Sequence, residues 1–201
     1  NLYNKQMKYI KNGTILLFLV GFSFTQAQTE KGKVLIGADS NMNMTITGNS
    51  IQSDEETVGY GEVTTIKFSP QVAYLVANNF ALGIEVPYEN SSADQESKAV
   101  LVLPFMRIYA KNKSSPSVKP FFQAGAGFGV RTIYTRDEDF KSDMFSYKFN
   151  TGVASFINQT VALEFGIQYQ YNSLKLREFN PNNVKIISKE FSFNLGFSFV
   201  L

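Results

Sequence analysis

The residues best equipped for chemistry are acidic and basic side chains that recur singly along otherwise uncharged segments. Three carboxylates and three cations of this kind stand where every second residue is apolar: Glu85, Arg107, Arg131, Lys148, Glu164 and Glu190. The chain contains neither His nor Cys. It therefore lacks the usual general base of Ser–His enzymes and has no thiolate to hold a metal or form a disulfide. We expect no catalytic residue and no cofactor.

Two other features resemble ligand sites only superficially. Residues 125–129 read Gly-Ala-Gly-Phe-Gly. Glycine at every second position matches neither the dinucleotide-binding nor the P-loop spacing, so we interpret these as glycines on the inner face of a strand. The acidic runs Asp54–Glu56 and Asp137–Asp139, with Asp143, could attract Ca²⁺ but lack EF-hand spacing. We interpret them as solvated loop surface and predict no metal site.

The charged residues lie on segments that alternate apolar and polar side chains, as half-buried β-strands do. The clearest segment is Ile187–Leu201, where Phe191, Phe193 and Phe197 share one face and Ser, Asn and Gly occupy the other. Seven earlier segments show the same alternation: 34–39, 67–76, 81–88, 104–109, 121–131, 144–153 and 161–172. The sequence therefore predicts eight strands and an all-β fold.

The connections between these strands alternate in length. Residues 77–79 and 158–160 are tight turns rich in Asn, and 110–118 form a third, moderate turn containing Pro116. Longer polar loops are predicted at 41–62, 89–97, 132–143 and 173–184. Short turns at one end and long loops at the other indicate an antiparallel up-and-down β-barrel of the kind that crosses a membrane.

The N-terminus has the features of a secretory signal peptide. Lys8 and Lys11 precede an apolar run, residues 15–24, that is too short to span a bilayer as a helix. Thr25-Gln26-Ala27 then supplies the small residues of a cleavage site. We predict residues 1–27 to be the signal peptide with a short extension upstream of Met7, and residues 28–201 to be the barrel domain.

The composition of the two faces favours a transmembrane barrel over a soluble one. The polar face combines charges with small residues, which suits the narrow interior of an eight-stranded barrel. The other face is rich in Phe, which suits contact with lipid. Five tyrosines are predicted near the long-loop ends, where amphipathic rings favour the headgroup boundary: Tyr88, Tyr134, Tyr147, Tyr169 and Tyr171.

Several stretches resemble the small outer-membrane β-barrel domain proteins, the OmpX/OmpA-like barrel class. These stretches are 69–74, 78–83, 119–129, 161–166 and the terminal run Phe-Ser-Phe-Asn-Leu-Gly-Phe-Ser-Phe. The resemblance implies residence in the cell outer membrane, contact with its lipid and lipopolysaccharide, and insertion by the barrel-assembly machinery. That machinery would read the C-terminal residues Phe197, Phe199 and Leu201, although the family usually ends in an aromatic residue.

The leading functional hypothesis is a non-enzymatic envelope protein that stabilises the membrane and presents loops for binding. We expect the six charged residues to form a lumen ion-pair network, which either plugs the barrel or gates an ion path. The alternatives are a narrow pore or conduit for small, possibly hydrophobic molecules, and a secreted soluble lipocalin-like binder. A net charge of +2 gives no indication of a nucleic-acid partner, and we expect a monomer.

Overall fold

The computed structural model describes residues 29–42, 64–92, 96–111, 114–135, 139–177 and 185–201. The predicted signal peptide and the acidic run Asp54–Glu56 lie outside these residues. The described elements are nine β-strands: β1 Val34–Met42, β2 Thr64–Ala77, β3 Phe80–Glu85, β4 Tyr88–Ser92, β5 Glu96–Tyr109, β6 Val118–Tyr134, β7 Asp139–Phe156, β8 Val161–Leu176 and β9 Lys185–Val200. Within the described residues, no helix is long and apolar enough to cross a membrane.

The strands form one closed antiparallel ring. Apart from β3 and β4, which do not pair with each other, strands that follow one another in sequence are paired, and β1 also pairs with β9. Strands β3 and β4 both lie between β2 and β5, so they fill one position of the wall and the ring has the eight positions predicted. The break falls at Val86–Pro87, where Pro87 has no N–H to donate. Hydrogen bonds from Val86 N to Pro70 O (2.9 Å) and from Leu101 N to Pro87 O (3.0 Å) keep the ring joined there.

The short connections meet at one end of the barrel, and residues 29–33 lie against that end. Asn79 adopts a left-handed conformation (φ 65°) in the tight turn between β2 and β3, as Asn tolerates. Its N–H donates to Thr29 O at 2.7 Å, and Gly32 N donates to Leu75 O at 2.8 Å. At the opposite end the strands are longer than predicted. For example, β6 and β7 pair as far as Tyr134 and Asp139, inside the segment expected to be loop.

The apolar faces of the strands point away from the barrel axis. On β5, Met106 and Ile108 are about half exposed, whereas Arg107 is fully buried between them. On the outer surface Phe128 and Phe193 are 72% and 70% exposed. This orientation confirms the predicted transmembrane arrangement. It is opposite to that of a soluble lipocalin-like binder, because in a soluble protein these outward rings would be exposed to water. On β9 the apolar outer face runs from Phe191 to the C-terminus, close to the span of about 9–11 residues that a strand needs to cross a bilayer.

The glycines of β6 serve the close approach of neighbouring backbones. A Cβ on Gly127 would overlap the carbonyl oxygen of Val102, and one on Gly129 would overlap that of Val100. Both carbonyls belong to β5. The expectation that these glycines make room in the lumen is therefore incomplete, because the first obstacle to a side chain is the adjacent strand. A small barrel curves strongly, and glycine permits that curvature.

We expect Gly127→Ala to destabilise the barrel by about 1–3 kcal/mol, since the added methyl must displace β5. The measurement is urea-induced unfolding of refolded protein in detergent, followed by the loss of heat-modifiable gel migration. Ala126→Val is the matched control because Ala126 is adjacent and exposed on the outer surface. Equal midpoints for Gly127→Ala and the unmodified protein would contradict this account of the glycine.

Candidate functional site

The interior of the barrel is layered. An apolar cluster fills the short-turn end, and it is built from Leu35, Ala73, Leu75, Ala81, Phe105, Tyr109, Phe121, Ala154, Phe156, Ala162 and Val200. A second apolar cluster lies toward the long-loop end and consists of Ala99, Leu101, Leu103, Met144 and Leu174. Buried charged and amide side chains form a middle layer between them. These side chains are the candidate functional site, because burying a charge carries a large desolvation penalty and buried charges are therefore uncommon.

Arg107 is the centre of the middle layer. Its Nη1 donates to both carboxylate oxygens of Glu164, at 2.7 and 2.9 Å, and both side chains are fully buried. Its Nε donates to Gln123 Oε1 at 2.7 Å, and Ser198 Oγ donates to Glu164 Oε1 at 2.7 Å. The guanidinium also lies 4.6 Å from the centre of the Phe121 ring, a cation–π distance. The ion pair is therefore satisfied on every side, as a buried pair must be to persist.

A second buried pair adjoins the first. Lys148 Nζ donates to Glu85 Oε1, and Gln123 Nε2 donates to Glu85 Oε2 at 3.1 Å. Gln123 thus bridges the two pairs, because its oxygen accepts from Arg107 and its nitrogen donates to Glu85. Four of the six predicted lumen charges lie in this single hydrogen-bonded network across β3, β5, β6, β7 and β8.

The other two predicted charges lie nearer the long loops and have partners that the sequence reasoning did not assign. Lys67 Nζ donates to both oxygens of Glu190 at 2.6 Å, and Arg131 Nη2 donates to Glu89 Oε1 at 3.0 Å. Lys67 also lies 3.8 Å from Glu89. The expectation that Glu190 and Arg131 would pair within the original six residues was therefore wrong. Glu89 fell inside a predicted loop, and a register between strands cannot be read from either strand alone.

Sequence reasoning also missed a buried carboxylate on β1. Asp39 is 1% exposed, and neither of its oxygens has a hydrogen-bond partner. It lies opposite Gly196 on β9. The signal was present, because Asp39 stands at a polar position of the alternation.

No group of three or more His, Cys, Asp or Glu side chains is placed to hold a metal ion in the described part of the chain. In the second acidic run, residues 137 and 138 lie outside the described residues. Asp143 is bound to Arg177 Nη2 at 2.7 Å on the surface. This pair is a solvated ion pair of the loop end, in keeping with the interpretation of that run as surface.

The predicted interfacial tyrosines lie on the outer surface. Tyr147 stacks on Tyr171 with ring centres 4.7 Å apart and contacts Tyr169 at 6.3 Å. Toward the long-loop end of β7, the outward positions beyond this group include Asp143 and Lys141. Tyr134, at the loop end of β6, lies under Lys98 Nζ at 5.1 Å, while Tyr88 begins β4 and is partly exposed. A change from aromatic to charged side chains is typical of the edge of a bilayer.

The C-terminal residues complete the ring. Leu201 N donates to Val34 O, and Val34 N donates to Leu201 O, both at 2.9 Å. Phe197 and Phe199 point outward and contact each other edge to face, with ring centres 5.7 Å apart. The recognition of these residues by an assembly machinery stays a prediction.

A groove of about 500 Å³ lies on the outer surface between β3 and β7. Its lining is mainly apolar and consists of Leu82, Pro104, Phe105, Met106, Ala124, Gly125, Ala126, Tyr147 and Phe149. The groove exists because Pro104, Ala124 and Ala126 present little side-chain bulk. Phe105, which belongs to the interior cluster, separates it from the lumen.

Comparison with solved structures finds similar β-barrels, and the first of those described here shows the same fold. The Neisserial surface protein A matches with a TM-score of 0.53 and 16% identity, over 83% of this chain and 95% of that one. The N-terminal β-barrel domain of Pseudomonas aeruginosa OprF matches with a TM-score of 0.47 and 11% identity, over 85% and 98%. OprG of the same organism matches with a TM-score of 0.49 and 12% identity, over 89% and 99%. Among curated protein sequences, none matches the chain.

A family model gives the identification that these distant structural similarities cannot. The model described as "Outer membrane protein beta-barrel domain" matches residues 14–199, which is nearly the whole chain. Its match agrees with the closed ring, the outward apolar faces and the buried charged layer. The chain is a member of the outer membrane protein β-barrel domain family.

Proposed function

We propose that this outer-membrane protein is a non-enzymatic structural barrel that stabilises the envelope and presents its long loops for binding. The observation that carries the proposal is the filled interior. Arg107 and Glu164 are fully buried in the middle layer, and apolar clusters lie on both sides of them. An eight-stranded barrel has an interior just wide enough for side chains, so these groups leave no aqueous channel.

The polar layer has a structural use in this proposal. The two buried pairs and Gln123 join strands β3, β5, β6, β7 and β8 across the lumen. Such a network fixes the relative positions of strands that are not neighbours in the ring. A rigid wall holds the ends of the long loops at constant separation, which is what a binding surface built from loops requires.

A second candidate, a conduit for small hydrophobic molecules, is favoured by the outer groove. Its volume of about 500 Å³ suits a small apolar ligand, since pockets of roughly 300–1,000 Å³ are usual for such ligands. Beside the groove the regular β5–β6 pairing is interrupted. Val102 pairs with Phe128 and Phe105 pairs with Gly125, and the ladder is broken between these two positions. Pro104 lies in the gap and has no N–H to donate. Movement of Phe105 would be needed to connect the groove with the lumen.

Electrical recording in planar bilayers tests the structural proposal against an ion-conducting pore, and dye uptake by liposomes tests it against the conduit. The structural proposal predicts no sustained openings for the unmodified protein and none for Phe105→Ala, because Arg107, Glu164 and the remaining residues of both apolar clusters still fill the bore. Met106→Ala is the matched control, since Met106 lines the groove but faces outward. Sustained openings of the unmodified protein that disappear in Arg107→Ala or Glu164→Ala would overturn the proposal. Uptake of an apolar dye by liposomes only with Phe105→Ala would support the conduit.

We expect Arg107→Met to lower the free energy of unfolding by about 3–5 kcal/mol, because Glu164 would be left as an uncompensated buried charge. The double variant Arg107→Met/Glu164→Leu should recover much of that loss, since an apolar pair of similar volume needs no desolvation. Urea unfolding in detergent measures both. Arg177→Met is the control: its pair with Asp143 is exposed and contributes about 0–1 kcal/mol. A double variant no more stable than Arg107→Met would contradict this explanation.

The role in the cell is tested with a deletion strain and a permeability dye excluded by an intact outer membrane. The deletion should raise dye entry at least a few-fold, and the double variant Arg107→Met/Glu164→Leu should restore the barrier, because it leaves the loops unchanged. A variant in which residues 178–184 are replaced by a short Gly-Ser turn should keep the barrier but lose binding to host or envelope ligands. A deletion without any change in permeability or surface binding would sink the proposal.

A further inference from the structure

One wall of the lumen, formed by β7, β8, β9 and β1, carries buried polar side-chain atoms that lack partners. Both carboxylate oxygens of Asp39 have none, and neither do Oδ1 and Nδ2 of Asn150 and Asn194 or Oε1 of Gln168. All four side chains are more than nine-tenths buried. An unsatisfied buried polar group costs about 1–3 kcal/mol, and an unpaired charge costs more. These atoms therefore point to a ligand.

Three of these oxygens, those of Asn150, Asn194 and Asp39, lie above two glycines. A Cβ on Gly166 would lie 2.6 Å from Asn194 Oδ1 and 2.7 Å from Asn150 Oδ1, so both amide oxygens reach over the same backbone position. Asp39 Oδ1 occupies the corresponding space above Gly196. Asn194 lies opposite Gly166 in the β8–β9 ladder, and Gly196 is two residues further along β9 on the same face. Side chains in place of these glycines would fill the space.

The charges of the middle layer do not balance. Among the described residues it contains two cations, Arg107 and Lys148, and each is paired with its own glutamate. Asp39 is the third carboxylate, and it leaves the layer with one excess negative charge. The layer nearer the loops does balance, since Lys67 and Arg131 face Glu89 and Glu190. The excess charge is thus confined to the wall that carries the unpartnered oxygens.

We propose that Asp39, Asn150, Gln168 and Asn194 bind a monovalent metal cation, Na⁺ or K⁺, inside the barrel. Hard cations take oxygen ligands from carboxylates and side-chain amides. A Ca²⁺ site usually gathers several carboxylates. On this wall Glu164 and Glu190 are already paired with cations, which leaves Asp39 as the one unpaired carboxylate among the described residues, so a single positive charge matches it. The ion would link β1 to β7, β8 and β9, and would therefore stabilise the seam at which the first and last strands close the ring.

The experiment uses the refolded barrel in detergent at neutral pH and constant ionic strength. Its thermal unfolding midpoint is measured by heat-modifiable migration in NaCl, in KCl and in choline chloride, whose cation is too large for the site. We expect the midpoint to rise with the logarithm of the Na⁺ or K⁺ concentration above the dissociation constant, by roughly 5–10 °C at 100 times that constant, and not to rise with choline. Asp39→Asn should abolish the dependence on the cation.

Glu190→Gln is the matched control, since it removes a carboxylate from the balanced layer and should leave the cation dependence intact. If Asp39→Asn does not fold, Gln168→Leu and broadening of the ²³Na NMR signal by the unmodified protein provide the same test. Identical midpoints in Na⁺, K⁺ and choline would overturn the proposal. So would an infrared band of a protonated carboxyl that disappears in Asp39→Asn, because a proton would then neutralise Asp39 in place of the metal.

Discussion

The structure depends on one constraint: in hydrocarbon every backbone N–H and C=O of the wall must find a partner within the protein. The ring meets it by pairing β1 with β9 as well as with β2. The break at Val86–Pro87 shows how strictly the constraint is met. Pro87 cannot donate, yet Val86 N and Pro87 O still bond to the two flanking strands. The regular strand geometry is broken there, but hydrogen bonds still join the two sides of the wall.

Closure of a ring this small then dictates what fills it. Strong curvature brings β5 and β6 so close that glycine is required at Gly127. The remaining interior is narrow enough for Arg107 to contact partners on three other strands, β2, β6 and β8. The desolvation cost of the buried charges is thus offset, because the wall that surrounds them also supplies their hydrogen bonds. The same narrowness supports a structural role over a channel.

The sequence predicted the faces of the strands well and the partners of their side chains less well. Alternation with period two placed Arg107 inward and Met106 outward, because this pattern is a local property of a strand. The pairing of Glu190 with Lys67 could not be predicted, because it depends on the stagger of strands far apart in the sequence. Asp39 was visible as a polar position, but only the count of buried charges in three dimensions shows that it is in excess. The glycines of β6 were recognised as inward, while their contact with β5 required the backbone.

The pairing of Leu201 with Val34 has a consequence for biosynthesis. The seam of the ring joins β1 to β9, so it cannot form until β9 has been synthesised. Contacts between residues so distant along the chain slow folding and prolong the life of species with an unpaired strand edge. An aqueous periplasm would expose the outward phenylalanines of such a species. A chain of this topology is therefore prone to aggregation until its last strand has paired in the bilayer.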